Sequence, residues 1–126
     1  MTRYVLDASF VIDHLRADPA AVARFDRLFE DGDQPVITEV VACEAWTGAS
    51  LVGDPALRAL MNAVEFVQPG AASAERAGRW RQEARARGRV LTLADALIAA
   101  AAEGDSVVLT RNVRDFALTP VRVETY

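Results

Sequence analysis

The chain has 126 residues, 52% of them apolar, a formal charge of −4 and a pI near 4.9. That length suits one domain, residues 1–126, with apolar material for a core, and the acidic balance argues against a protein that grips nucleic acid by a bulk positive field. All 14 basic residues are arginine, which excludes any mechanism needing lysine, and the single cysteine, Cys43, excludes an intrachain disulfide.

Residues 3–7 read as a first strand, and Ala8, Val11, Ile12 and Leu15 then recur at helical spacing. "DPAAVARFDRLFED" opens a second helix with Asp18 as cap and Pro19 at its first position. "QPVIT" is a short strand, and Thr38 caps a helix over residues 39–51. Asp54-Pro55 starts another helix, followed by the strand "VEFVQ". "AASAERAGRWRQEARARG" is a long surface helix with the i, i+4 pairs Glu75–Arg79 and Glu83–Arg87, stopped by Gly88. Thr92 caps the helix "LADALIAAAAEG", and "SVVLT" and "PVRVE" are the last strands. Alternating strands and helices predict a parallel sheet with helices on both faces. The aspartate in "MTRYVLDASF" comes too early for a signal peptide, and the apolar run "VLTLADALIAAAA" is interrupted by Asp95 and too short to span a bilayer. A soluble, cytoplasmic protein is expected.

Acids stand at or just after strand ends in four places: Asp7, Glu44, Asp95 and the Asn112/Asp115 pair in "TRNVRDF". Ligands of open α/β sheets sit outside the carboxyl ends of the strands, so these groups could converge. Oxygen ligands suit magnesium or manganese. Each also has a plain structural role. Asp7 could be an N-cap, Asp95 the end of a Thr-x-x-Asp capping box, Asn112 the cap of a short helix with Asp115 at N3, and Glu44 a solvated helix residue. Two features favour a site. Asp95 is the one charge in a helix apolar on nearly all sides, which predicts its burial, and Asp7 follows a buried strand. Neighbouring buried carboxylates repel, and a divalent cation removes that penalty.

The sole histidine, His14, lies off the apolar stripe and is expected to be exposed. With one His and one Cys, a zinc site of the usual type is excluded, and no serine has the Gly-x-Ser-x-Gly elbow of a hydrolase triad. No glycine-rich phosphate loop is present. Cys43 reads as a small helix-packing residue, and Trp46 and Trp80 as core or interface anchors. Asp13 and Glu103 read as solvated, Glu39 as a favourable first-turn charge, and Asp105 as part of a turn.

"LDASFVID", "EVVACEAWTG", "LADALIAAAA" and "VLTRNVRDF", in that order, resemble the motifs of PIN-domain ribonucleases, and above all the VapC-type toxins of toxin–antitoxin pairs. The resemblance covers essentially the whole chain. It implies a three-layer α/β/α sandwich around a parallel sheet and magnesium- or manganese-dependent RNA cleavage. By position it makes Asp7, Glu44 (in Glu-x-x-x-Gly with Gly48) and Asp95 the first three acids. Family members place the fourth acid at the position of either Asn112 or Asp115. Here the former is an amide, which points to Asp115, with Asn112 and Thr110 as polar helpers. Asp7 and Asp95 would ligate the main metal, with Glu44 and Asp115 bound through water or holding a second ion. The metal would activate a water for in-line attack on the phosphodiester. Arg16, Arg87, Arg89 and Arg111 could position the backbone of an RNA substrate, a structured RNA such as tRNA among the options. A homodimer and a VapB-type antitoxin are further implications, with Trp46 and residues 40–65 as a candidate dimer face.

Three rivals exist. A phosphoacceptor receiver domain needs a lysine that is missing, and a HAD-type phosphatase needs Asp-x-Asp where this chain has "DASF". The third is a catalytically inactive PIN-like binding module, and acids retained at every principal position speak against it.

Overall fold

The computed structural model describes residues 1–48 and 54–126. β1 (Arg3–Leu6) is the middle strand of a five-stranded sheet, pairing on one side with β2 (Gln34–Thr38) and on the other with β4 (Val107–Leu109). β3 (Glu65–Val67) lies beyond β2 and β5 (Arg122–Glu124) beyond β4, giving the order β3-β2-β1-β4-β5 with every pair parallel. Tyr4, Val5 and Leu6 face Val107, Val108 and Leu109 in register.

The chain thus moves outward from β1 to β3, then jumps back over two strands to β4. Parallel crossovers are right-handed, so a change of direction moves the helices to the other face. The first face takes α1 (Ala8–Leu15), α2 (Pro19–Glu30), α3 (Glu39–Thr47) and α4 (Asp54–Ala63). The second takes α5 (Ala71–Ala86) and α6 (Leu93–Ala100). A 3-10 turn, Val113–Phe116, joins β4 to β5. The expected α/β sandwich with a central parallel sheet is therefore what forms.

Two clusters fill the layers. The main one runs through the sheet and includes Leu6, Phe10, Leu28, Ile37, Leu57, Ile98, Leu109 and Phe116, all at most 1% exposed. Each such side chain contributes about 1.5–3 kcal/mol of transfer free energy. The second is made mostly of alanines, Ala77, Ala84, Ala96 and Ala100 with Leu91, which let α5 and α6 lie close together. Half-buried Trp80 packs against both clusters.

The helix boundaries follow from capping. Asp18 accepts a hydrogen bond from the Ala21 amide (3.0 Å) with Pro19 at the first position, as expected. Gly88, at φ +69°, ends α5: its N–H donates to the Arg85 carbonyl and that of Arg89 to the Ala84 carbonyl. The same pair of bonds ends α1, but there the left-handed residue is Ala17, at φ 60°. α6 stops earlier than expected. Ala101 and Ala102 turn back with i→i−3 bonds to Ile98 and Ala99, and Arg76 Nη2 takes the Ala100 carbonyl at 2.9 Å. α3 ends at Thr47, with Gly48 as its C-cap, and the last residues of the helix expected over 39–51 lie outside the described residues. The Glu75–Arg79 pair closes at 3.2 Å, whereas Glu83 and Arg87 form no ion pair. Among the described residues no helix is long and apolar enough to cross a membrane.

Candidate active site

The strand order reverses between β1 and β4, and that is where an open α/β sheet leaves a crevice at its carboxyl edge. Asp7 follows β1 directly, and its amide donates to the Leu109 carbonyl at 3.0 Å, so it is fixed between the two strand ends. It holds the N-cap position of α1 and its carbonyl accepts from Val11, but its side chain makes no capping bond. The carboxylate is buried and engaged elsewhere. Thr110 Oγ1 donates to Asp7 Oδ2 at 2.7 Å and Ser9 Oγ to the same oxygen at 3.0 Å.

Each hydroxyl also accepts a backbone amide: Ser9 from Arg111 (3.2 Å), Thr110 from Asn112 (2.9 Å). A hydroxyl has one proton, so with both given to Asp7 the 3.2 Å Ser9–Thr110 contact is left without a hydrogen. The result is two polarised chains, amide to hydroxyl to carboxylate, ending on one oxygen. No protein donor reaches Oδ1 among the described residues. Thr110, expected as a polar helper, is fully buried in this role. Ser9 was not singled out from sequence, although Asp-x-Ser at a strand-to-helix junction is the spacing that lets a hydroxyl fold back on the acid.

Three further acids bear on this point. Glu44, on α3, is exposed, and its carboxyl is pushed above its ordinary range by partial loss of hydration and then by the charges of Asp7 and Asp95. Asp95, in the first turn of α6, is pushed up by loss of hydration, held back by its hydrogen bond to Thr92, and raised again by Asp115 and Asp7. The four carboxylates of Asp7, Glu44, Asp95 and Asp115 are thus electrostatic neighbours although they come from four separate stretches of chain. Asp95 is half-buried rather than buried, a correction to its expected environment. α6 begins at the rim, where Leu93 is 58% exposed, and only its later turns enter the core. Thr92 Oγ1 accepts the Asp95 amide at 3.1 Å, which is one half of the expected capping box. Asp115 sits in the 3-10 turn, its amide bonded to the Asn112 carbonyl, while the Asn112 side chain caps nothing.

Oxygen donors of this kind match hard divalent cations, and no histidine, cysteine or lysine competes. Repulsion between the carboxylates adds to the loss of hydration in raising Glu44 and Asp95, and a bound cation would relieve it. Among the described residues, no three His, Cys, Asp or Glu side chains yet converge on one coordination point.

Three other expectations change, and that for Trp46, a core or interface anchor, narrows to the surface. His14 is half-buried with its ring 4.4 Å from that of Phe25, and its Nδ1 has no hydrogen-bond partner; burial lowers its pKa. Cys43 is exposed rather than packed between helices. Trp46 lies at the surface under the Arg58 guanidinium, 5.0 Å away. Asp13 is buried, not solvated: Arg111 Nη1 donates to both its oxygens (2.6 and 2.8 Å) and Tyr126 Oη to Oδ2 (2.5 Å). Its place on α1, three residues after the buried Phe10, was the available signal.

The PIN-domain family matches residues 4–120. The chain belongs to this family, as a member of its VapC type. It is 32% identical over 117 residues to Ribonuclease VapC19 of Mycobacterium tuberculosis, covering 92% of this chain and 94% of that one. Among solved structures, VapBC2 from Rickettsia felis, bound to a DNA fragment from its promoter, aligns with a TM-score of 0.85 at 19% identity over 99% of both chains. A toxin–antitoxin complex from Klebsiella pneumoniae aligns at 0.76 and 26% identity, over 97% of this chain and 96% of that one.

Proposed function

We propose that this protein is an endoribonuclease toxin that hydrolyses RNA phosphodiester bonds with magnesium or manganese held by Asp7, Asp95, Glu44 and Asp115. The observation that carries the reading is the buried Asp7 carboxylate between two strand ends at the reversal point of the sheet, with Oδ2 held by Ser9 and Thr110 and Oδ1 left without a protein donor among the described residues. When bound, the cation supplies Lewis acidity for water and phosphate. Asp7 would offer its free Oδ1 while Ser9 and Thr110 keep Oδ2 turned away. Asp95 and Glu44 would complete the donor set once ionised, and Asp115 would approach from the 3-10 turn, with Asn112 beside it. Exposed Arg16, Arg87 and Arg89 would hold the RNA backbone. A VapB-type antitoxin partner fits the VapBC complexes that share this fold, and a homodimer in the cytoplasm completes the reading.

The rival, an inactive PIN-like binding module, has in its favour that the acids do not already converge. Total RNA incubated with wild type, Asp7→Asn and Asp95→Asn, with magnesium and with EDTA, separates the two. Cleavage should need the metal and both aspartates. Cleavage that survives EDTA or the substitutions, or no cleavage by wild type, rejects the nuclease reading.

A further inference from the structure

The stretch from Arg111 to Asp115 is exposed, yet it carries Asn112 and the proposed fourth acid. Its two ends are held by the core. Thr110 is fully buried, with its amide on the Glu124 carbonyl, and Phe116 is 1% exposed. Among the described residues, the side chain between them that is hydrogen-bonded to the body of the molecule is that of Arg111. Its Nη1 reaches Asp13 on α1, and that carboxylate is held by Tyr126, whose ring packs edge-on against Phe10 at 4.9 Å.

We propose that Asp13, Arg111 and Tyr126 form a clamp that positions the 110–116 segment, and so sets where Asp115 and Asn112 stand relative to Asp7. The role rests on the nuclease reading above only for its catalytic consequence. The geometry favours positioning over simple stability. The Asp13 side chain is 12% exposed and that of Arg111 is 57% exposed, so the bond is anchored on the α1 side and reaches out to the loop. The Arg111 amide meanwhile donates to Ser9, so main chain and side chain of one residue hold two points of α1 four residues apart. The second point restrains the segment from pivoting about the first. Removing the side-chain point leaves it free to pivot about the Ser9 bond.

The test compares wild type, Arg111→Met, Arg111→Lys and Tyr126→Phe, with Arg79→Met as a surface ion-pair control. Hydrogen exchange of peptides spanning residues 108–118, calorimetric titration with manganese, melting temperature and RNA-cleavage kinetics are measured on each. Arg111→Met should remain folded, exchange about tenfold faster in that segment alone, and lose about tenfold in manganese affinity and in kcat, as outer-sphere partners of a metal site do. KM should stay unchanged, because positioning acts on the reacting geometry rather than on substrate binding. Arg111→Lys should recover part of the loss, Tyr126→Phe should show a smaller change of the same sign, and Arg79→Met none. Unchanged exchange, or an unchanged kcat, overturns the clamp. A loss confined to KM overturns it too, and makes Arg111 a phosphate contact. If Arg111→Met does not fold, Tyr126→Phe decides by the same criteria. If wild type cuts no RNA, the nuclease reading falls while exchange still decides the clamp.

Discussion

Ala17 takes a left-handed conformation to close α1, through the bonds from its own amide to the His14 carbonyl and from the Asp18 amide to the Asp13 carbonyl. A residue with a Cβ at φ 60° costs about 1–2 kcal/mol relative to a right-handed one. Ala17→Gly should therefore raise the unfolding free energy by about 1 kcal/mol in urea melts, with no effect on the site. The acids make the opposite trade. Glu44 and Asp95 have raised carboxyl pKa values in the folded protein, so the fold binds protons more readily than the unfolded chain there. Such groups give stability that is whole below the unfolded pKa and is lost as pH rises through the folded one. The metal-free protein should thus melt higher as pH falls from neutral toward the carboxylate range. Glu44→Gln should melt above wild type at neutral pH without metal, and the difference should vanish in acid. RNA cleavage by that variant should be lost. That Asp7, Glu44, Asp95 and Asp115 stand near one another was legible from their places at or just after strand ends. Asp95 was misjudged in burial because a one-dimensional stripe does not tell which part of a helix leaves the core, and Asp13 because the Arg111 and Tyr126 that cover it are about a hundred positions away.

At the level of elements, the 3-10 turn depends on Phe116, whose ring is fully inside the main cluster. Phe116→Ala should cost about 3–5 kcal/mol by denaturant titration, and should loosen Asp115 with it. Thr92→Ala removes the α6 cap and should cost about 1 kcal/mol. Strands and helices were readable from hydrophobic period and from caps such as Asp18, Thr38 and Thr92. Some of their ends were, such as Gly88 after α5, and others were not. α6 loses its last turn to Arg76, a residue of another helix, and no local pattern announces that.

For the whole molecule, alternation of strand and helix was enough to predict a parallel sheet with two covered faces. The strand order was not readable, because it depends on which edges pair after the long excursion from β3 to β4. Yet that order is what brings Thr110 to Asp7 and makes a crevice of two strand ends. Metal binding should report on the assembly as a unit. At a magnesium concentration about 100 times Kd, linkage adds about 2.7 kcal/mol to stability, visible as a higher melting temperature that EDTA reverses. A melting temperature indifferent to magnesium and manganese would mean the carboxylates hold no cation.

The bond from Thr110 to Asp7 joins residues 103 positions apart. On a ribosome adding about 5–20 residues per second, Asp7 emerges on the order of ten seconds before the hydroxyl that orients it. β1 meanwhile lacks one of its two neighbours, and Asp7 lacks the carbonyl its amide binds. Under the proposed activity, a chain whose β4 has not yet emerged lacks the oriented carboxylate that would hold the metal. The topology thus ties assembly of the site to completion of the sheet.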